Sequence, residues 1–304
     1  MSDTVSLCGL GNMGGAVAGR LAARGPLRVF DLDPARVAPA VEHPRITAVG
    51  AVGELAASDV VLLSLPAPKI SRQVIAELAP RMRAGAVIVE TSTVSPADMA
   101  AERELCAAHG IGIVDAAILS GVAQMAGGTA TLLVGGDESA VDRVAGVLEA
   151  ISGSVLRFGP VGSGMAAKVI NNAVAHAVMV VLAEAGALGA ATGVSGSALA
   201  SLLSGPEAGL TRPLTHRFAE RVLRGDYDGG MPTEAARKDS TLALAMAQDG
   251  GVPLFGIQGA HTVYELGVAE GLGRLDYASI ATLWERWTGR PMGEAPGDQE
   301  EQAE

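Results

Sequence analysis

The residues best suited to chemistry lie close together in the segment Gly162–Asn172. This segment places an amine and two amides, Lys168, Asn171 and Asn172, on an otherwise apolar helical pattern. At 3.6 residues per turn, these side chains and His176 fall on one stripe of a helix. Burying a charged ammonium group costs free energy, so a buried lysine is expected to have a partner or a function. Burial also lowers a lysine pKa toward the range useful for proton transfer. The stripe is therefore a candidate active site.

A glycine motif near the amino terminus is the second feature that could do chemistry. The sequence Gly9-Leu10-Gly11-Asn12-Met13-Gly14 follows a short apolar strand and precedes a helical pattern. In that order, the three glycines permit a tight turn, close approach of the backbone to a pyrophosphate and close helix packing. The amides at the helix N-terminus can then bind the anion. The motif predicts a dinucleotide site.

An acidic residue refines the choice of dinucleotide. Asp31 ends the next strand, 20 residues after Gly11, where a carboxylate can accept hydrogen bonds from the adenosine ribose and repel a 2′-phosphate. The alternative is that Asp31 only starts the turn before Asp33-Pro34, a good helix start. The first interpretation predicts NAD as the cofactor, rather than NADP.

The elements that must position these residues alternate along the first half of the chain. Apolar strands are expected at 46–49, 59–65 and 86–90, with helical patterns between them, which is typical of a parallel sheet covered on both faces. Because ligands bind at the carboxyl ends of such strands, Leu65-Pro66 and Thr93 are expected on the nicotinamide side. The alternative is ordinary turns, with Ser95-Pro96 as a helix start. Strands at 113–118 and 129–134 and a helix at 138–151 complete this half.

Strand alternation ends after a junction at 159–162, and Ala-rich helical patterns continue to about residue 286. We therefore predict a dinucleotide-binding domain at 1–162 and an all-α domain at 163–288. Residues 289–304, rich in Gly, Pro, Glu and Gln, are predicted to form a disordered acidic tail.

Composition narrows the class of partner. With 49% hydrophobic and 18% charged residues the chain is expected to fold, and its net charge of −11 argues against nucleic acid, which requires clustered Lys and Arg. A small molecule is the expected partner. Two cysteines, Cys8 and Cys106, are too few for a disulfide framework or a zinc site, so we predict core cysteines and no metal.

The apolar run at 173–193 could suggest a membrane span. His176 and Glu184 interrupt it, so we interpret it as a buried helix and expect no membrane partner. The amino terminus shows no basic region or cleavage site, which predicts a cytoplasmic protein.

With these residues in view, the chain resembles the β-hydroxyacid dehydrogenases related to 3-hydroxyisobutyrate dehydrogenase, from Val5 to about Ile280. Four blocks carry the resemblance: the glycine motif, residues 115–136 with Gly128-Thr129 and Val134-Gly135-Gly136, residues 162–172, and Lys238-Asp239. The resemblance implies an α/β protein with an N-terminal Rossmann domain and an all-α domain like that of 6-phosphogluconate dehydrogenase, built around a long interdomain helix. It also implies a homodimer or homotetramer formed through helices.

The resemblance also implies roles for single residues. Lys168 corresponds to the catalytic lysine, Asn172 to the asparagine that positions the substrate, and Lys238 to a lysine near the cofactor ribose. Elementary chemistry agrees, because hydride transfer to or from a nicotinamide needs one positioned acid/base group for the alcohol proton. The alternatives are that Lys168 extends into solvent and that Lys238 is a plain surface residue. His176 is interpreted as a helix histidine rather than a catalyst.

Two departures from the family pattern concern the substrate. Leu119 occupies a position where relatives that bind a carboxylate have serine, and leucine cannot donate a hydrogen bond. Either Ser120 and the backbone amides of Ser120 and Gly121 take over, or the substrate is not a simple 3-hydroxy acid. Met231 stands where the family often has an aromatic residue. Both changes indicate an altered substrate pocket.

The leading hypothesis is an NAD-dependent oxidoreductase that acts on a small β-hydroxy acid or its semialdehyde, with Lys168 as general acid/base. One alternative is an imine reductase-like NAD(P)H enzyme, which would suit the loss of the serine, although Lys168 and Asp31 count against it. The other is a noncatalytic dinucleotide-binding scaffold, against which the retained lysine counts.

Overall fold

The computed structural model describes residues 3–293, and its first unit is built on one eight-stranded sheet. The strand order is β3-β2-β1-β4-β5-β6-β7-β8. The strands are β1 (Val5–Cys8), β2 (Leu27–Phe30), β3 (Ile46–Ala48), β4 (Val60–Leu63), β5 (Val87–Glu90), β6 (Gly112–Ile118), β7 (Thr131–Gly136) and β8 (Ser154–Gly159). The helices of this unit are α1 (Asn12–Arg24), α2 (Pro34–Ala40), α3 (Pro68–Leu78), α4 (Pro96–Ala107), α5 (Val122–Gly127) and α6 (Glu138–Ile151). Short 3₁₀ turns lie at Val52–Ala57 and Ala79–Arg81.

Apolar side chains cover both faces of the sheet, as the near-continuous apolar strands predicted. One face packs against α1, α5 and α6, and the other against α3 and α4. Alternate residues of a strand belong to opposite layers: Leu62 faces the first and Leu63 the second. Cys8 and Cys106 are buried free cysteines, as predicted. Helix α4 begins as its sequence indicated, because Ser95 and Asp98 form a capping box with Pro96 at the first turn.

Two features of the sheet differ from the sequence-based expectation. β7 pairs with β6 in antiparallel register, whereas the other neighbouring strands are parallel. A parallel return usually needs a helix that runs back along the strands, and the connection at 119–130 contains only α5, which has six residues. The edge strand β8 was not predicted, since it lies immediately after α6 and is mostly exposed, which weakens the hydrophobic pattern.

The second half of the described chain is helical, as predicted. Its helices are α7 (Ser163–Thr192), α8 (Gly196–Leu203), α9 (Thr233–Gly250), α10 (Gly256–Ala269) and α11 (Ala281–Thr288). Shorter helical turns lie at Pro213–Phe218, Val222–Arg224 and Tyr277–Ile280. The chain divides into two compact units, Met1–Ala173 and Val174–Glu304, and the division falls inside α7. The domain division at 162 and 163 stays a prediction. Of the predicted tail, residues 294–304 lie outside the described part.

Helix α7 corrects one expectation. Residues 173–192 are helical, but only Glu184, Leu188 and Gly189 are buried between 173 and 193, all of which the structure describes. The interpretation as a buried helix was therefore wrong for the isolated chain, because apolar character does not reveal whether the covering surface belongs to the same molecule. By length and composition α7 could cross a membrane, a weak criterion that core helices of soluble proteins also meet.

Two buried carboxylates organise the second unit. Glu184 of α7 accepts hydrogen bonds from the backbone amides of Phe255, Gly256 and Ile257, at 2.6, 2.8 and 3.0 Å, and so caps α10. Asp276 accepts bonds from the Ala278 and Met231 amides and pairs with the guanidinium of Arg217.

Candidate active site

A cleft of about 780 Å³ opens at the carboxyl ends of β1, β2 and β4. Its lining contains eight residues that the sequence predicted to hold a cofactor: Gly9, Gly11, Asn12, Met13, Gly14, Asp31, Leu65 and Pro66. Cleft residues that sequence reasoning missed include Arg36, Val52, Ile70, Gln73 and Glu77. These come from helices and turns beside the strand ends, and no local motif marks them.

The glycine motif has the geometry that a dinucleotide needs. Gly9 has a φ of +99°, and a Cβ there would lie 2.2 Å from the Ser64 carbonyl oxygen. A Cβ at Gly14 would lie 2.1 Å from the Gly9 oxygen. Helix α1 starts at Asn12 without a side-chain cap, which leaves its first amides to bind an anion. The residues present therefore fit a bound dinucleotide.

Asp31 both starts a turn and lines the cofactor cleft, and its predicted contact with the adenosine ribose stays a prediction. Its Oδ2 accepts a hydrogen bond from the Leu10 amide at 2.6 Å, which ties it to the glycine motif. Its Oδ1 accepts from the Asp33 amide at 2.9 Å, and Asp33 in turn caps α2. The Arg36 guanidinium lies 3.8 Å from Oδ2. The carboxylate thus starts the turn and also lines the cleft.

Lys168 lies half-buried on the second turn of α7. Its Nζ donates a hydrogen bond to Thr93 Oγ1 at 3.0 Å, and burial lowers the pKa of this lysine. Asn172 lies one turn further along the helix and is also half-buried. The structure thus brings together the lysine and Thr93, two residues that the sequence placed 75 positions apart.

The loop that bears Thr93 is also bonded to the lining of the cofactor cleft. Thr93 follows Ser92, whose Oγ accepts from the Leu65 amide at 2.8 Å, and Leu65 lines the cleft. The Ser92 amide donates to the buried carboxylate of Glu90 at 2.7 Å. The loops after β4 and β5 are therefore fixed to one another, and a half-buried amine with a lowered pKa stands next to them.

The predicted substrate residues Leu119, Ser120 and Gly121 lie on the loop after β6. Leu119 is half-buried and, with Leu133, Phe158 and Asn171, lines an apolar groove of about 510 Å³. The Ser120 hydroxyl donates to the Leu119 carbonyl oxygen and accepts from the Thr131 amide. Gly121 precedes α5, which has no side-chain cap. The serine hydroxyl is thus engaged within its own loop, whereas the backbone amides at the start of α5 have no such side-chain partner.

The remaining predicted residues belong to the second unit. The Met231 amide donates a hydrogen bond to Asp276 Oδ2 at 3.2 Å. Lys238 lies on α9 with an exposed side chain, 3.1 Å from the carboxylate of Asp239. His176 is exposed on α7. Within residues 3–293, no group of three or more His, Cys, Asp or Glu side chains is arranged to hold a metal ion.

Comparison with known proteins identifies the family of the chain. Residues 4–159 match the family model described as the NAD binding domain of 6-phosphogluconate dehydrogenase. Residues 162–284 match the model described as NAD-binding of NADP-dependent 3-hydroxyisobutyrate dehydrogenase. The chain is 32% identical to 2-(hydroxymethyl)glutarate dehydrogenase of Eubacterium barkeri, over 95% of this chain and 97% of that protein.

Solved structures agree on the fold. The 3-hydroxyisobutyrate dehydrogenase of Mycobacterium tuberculosis, determined with L-serine, is 28% identical, with a TM-score of 0.67 over 93% of this chain and 99% of the other. An imine reductase variant from Myxococcus stipitatus in complex with NAD⁺ has a TM-score of 0.82 over 93% of this chain and 99% of the other. At 21% identity, that likeness shows the fold alone.

These matches confirm the predicted α/β fold with a helical second half, and the prediction that the cofactor is a nicotinamide dinucleotide. Together the two family models span almost all of the described residues, including the glycine motif and Lys168. The chain is an NAD-dependent oxidoreductase and belongs to the β-hydroxyacid dehydrogenase family.

Proposed function

We propose that this protein interconverts a small β-hydroxy acid and its semialdehyde, with NAD as hydride carrier and Lys168 as general acid/base. The observation that carries the proposal is the half-buried Lys168 amine, bonded to Thr93 beside the loops that line the cofactor cleft. When bound, the nicotinamide accepts or supplies the hydride. The proton of the alcohol needs a separate partner, and Lys168 supplies one.

Cofactor binding, proton transfer and substrate positioning are assigned to different residues of the chain. The glycine motif and the first amides of α1 bind the pyrophosphate, and Asp31 accepts hydrogen bonds from the adenosine ribose, which favours NAD over NADP. Neutral Lys168 takes the hydroxyl proton as the alcohol is oxidised and returns it in reduction. Its lowered pKa increases the neutral fraction near physiological pH. Asn172, one turn away, holds the reacting substrate.

The substrate class follows from the relatives and from Leu119. The three compounds named for similar proteins, 2-(hydroxymethyl)glutarate, 3-hydroxyisobutyrate and L-serine, each carry a primary alcohol on the carbon next to the one that bears the carboxylate. With Leu119 in place of the family serine and the Ser120 hydroxyl engaged locally, the amides of Ser120 and Gly121 are left to bind the carboxylate. Leu119 then shapes the side of the pocket that receives the substituent, and a role for Met231 in substrate binding stays a prediction.

We extend the proposal to the assembly. Several large apolar side chains are exposed along α7: Val169, Ile170, Val174, Met179 and Val180. An apolar strip of this kind is typical of a protein interface. It supports a homodimer or homotetramer formed through helices. Lys238 near the cofactor ribose, the domain division at 162 and 163 and the cytoplasmic location stay predictions.

Substitution of Lys168 tests the proposed chemistry. Lys168→Met removes the proton-transfer group, so turnover of hydroxy acids should fall by about 10²-fold or more. Binding of NADH, followed by its fluorescence, should remain nearly unchanged. Activity would be followed by NADH absorbance on C3 to C6 hydroxy acids, with a cyclic imine and NADPH included to detect the imine reductase alternative.

Lys69→Met serves as the matched control, because Lys69 is a lysine of α3 outside the cleft lining. It should keep wild-type turnover. Full activity in the Lys168→Met protein would rule out the proposed mechanism. Turnover of the imine in preference to every hydroxy acid would reassign the substrate class.

A further inference from the structure

Asp115 holds the first turn of the helix that carries Lys168. It lies on β6 and is completely buried. Its Oδ1 accepts a hydrogen bond from the Gly162 amide at 2.7 Å, and its Oδ2 accepts from the Met165 amide at 2.8 Å. A helix N-terminus has amides without intrahelical partners, which a nearby side chain normally caps. Here the cap comes from a distant strand, 47 and 50 residues earlier in the chain than the two amides, so it also fixes the helix to the sheet.

Two glycines permit this close approach. A Cβ at Gly164 would lie 2.3 Å from the Leu133 carbonyl oxygen and 2.9 Å from Asp115 Oδ2. A Cβ at Gly135 would lie 2.7 Å from Asp115 Oδ1. The side chain of Met165 is fully buried in the core beside Leu133. The start of α7 therefore lies against β6 and β7 with little space in which to shift.

The placement of this turn sets the placement of the amine. Lys168 follows Met165 by three residues, about one turn, and a helix transmits a displacement of its first turn to the next. The 3.0 Å bond between Lys168 Nζ and Thr93 Oγ1 depends on that placement. Proton transfer is sensitive to such geometry, because a misplacement of about 1 Å can cost about 10²-fold in rate.

A carboxylate is a costly choice for this position. Burial raises the pKa of Asp115, and the hydrogen bonds that its carboxylate accepts from backbone amides oppose that rise. A neutral hydroxyl or amide side chain would cap a helix at a lower desolvation cost. A carboxylate alone offers acceptors on both oxygens, and here each oxygen binds a different amide of the same turn.

We propose that Asp115 is a positioning residue of the reaction, whose two oxygens hold the first turn of α7 so that the Lys168 amine stands at Thr93. The inference rests on the proposed role of Lys168 as general acid/base. Asp115 itself is completely buried, and we assign it no proton transfer.

Asp115→Asn tests the proposal. Asparagine offers one acceptor oxygen and turns an NH₂ group toward the second amide, so one of the two bonds is lost. We expect kcat to fall by about 10- to 10²-fold while the KM for NAD stays near the wild-type value. The pH at which the rate of alcohol oxidation rises should also shift to a higher value, because a less buried Lys168 regains its ordinary pKa.

Asp59→Asn is the matched control. Asp59 is also a buried carboxylate that accepts a backbone amide, from Thr4 at 2.8 Å, but it lies at the amino-terminal ends of β1 and β4. It should lower the melting temperature and leave kcat and the pH profile unchanged. If Asp59→Asn and Asp115→Asn alter kcat and the pH profile equally, Asp115 is only a stabilising residue and the proposal fails.

A double-mutant cycle separates this inference from the proposed function. In the Lys168→Met background, Asp115→Asn should have little further effect on single-turnover hydride transfer, because the group that it positions is absent. The same fold loss in both backgrounds would overturn the positioning role. Wild-type turnover by Lys168→Met alone would instead overturn the proposed function.

Gly164→Ala gives a second route if Asp115→Asn does not fold. It leaves the carboxylate intact but pushes the first turn of α7 away from Leu133. The same fall in kcat, with the same dependence on Lys168, supports the inference. An unchanged kcat and pH profile in folded Gly164→Ala protein contradicts it.

Discussion

Glu102 on α4 is an acid in an apolar environment. It is completely buried, and neither of its oxygens has a hydrogen-bond partner among the described residues. Burial raises the pKa of Glu102 to about 8, and repulsion from the buried Glu90 adds to the rise. The side chain therefore stays protonated in the folded protein at neutral pH.

This buried acid predicts a pH dependence of stability. Because the pKa is raised on folding, the folded chain retains a proton that the unfolded chain releases as the pH passes about 4.3. Stability should then fall as the pH rises from there to about 8, by up to about 1.4 kcal/mol per pH unit from this group. Glu102→Gln should remove that slope and stabilise the protein at pH 8, as measured by urea unfolding across the range.

Glu104→Gln is the control, since Glu104 is an exposed neighbour on the same helix. It should leave the slope unchanged. An equally steep loss of stability in the Glu102→Gln protein would show that other groups cause it.

Residues with local sequence signals could be predicted, and those without them could not. The glycine motif, Asp31 and Lys168 each stand in a local pattern that a physical argument can interpret. Asp115 gave no such signal as a cap, because the amides that it binds lie 47 and 50 residues away in the chain. Glu184 was recognised only as an interruption of an apolar run.

At the scale of elements, Glu184, which interrupts the apolar run of α7, caps another helix. Its carboxylate accepts three consecutive amides at the start of α10. Burial alone would raise the pKa of Glu184, but the three amide bonds outweigh it and lower the pKa. The charge therefore stabilises the fold above the ordinary glutamate pKa, and this contribution is lost as the pH falls through the lowered value.

Glu184→Gln should leave at least one of these amides without an acceptor and cost about 1 to 3 kcal/mol in the free energy of unfolding at pH 7. Hydrogen exchange should become faster in the first turn of α10. Glu220→Gln, on an exposed glutamate of the same unit, should change neither quantity. If the first turn of α10 is equally protected from hydrogen exchange in both variants, Glu184 does not cap this helix.

The direction of β7 and the presence of β8 show the limit of element prediction. Apolar periodicity identified β6, β7 and α6 within two residues of their observed bounds. It could not give the antiparallel pairing, which depends on the length of α5, nor the exposed edge strand, whose residues lack a buried face. Both outcomes are set by tertiary contacts rather than by local preference.

At the scale of the whole molecule, the exposed strip of α7 predicts association. Met179→Glu places a charge on a side chain that is 61% exposed in the single chain. If the strip lies between copies, this charge should weaken association by about 10-fold or more, as measured by sedimentation at several concentrations. Val41→Glu, on an exposed valine at the end of α2, should not. A wild-type chain that remains monomeric at high concentration would contradict the proposed assembly.

The spacing between Met165, whose amide is bonded to Asp115, and Lys168 has a genetic consequence. Three peptide units separate Met165 from Lys168, and each residue added to or removed from a helix rotates the downstream side chains by about 100°. An in-frame insertion or deletion of one codon here would carry the amine away from Thr93 while every functional side chain remained encoded. Such an allele would resemble loss of the lysine itself, although a search for missing site residues would not reveal the defect.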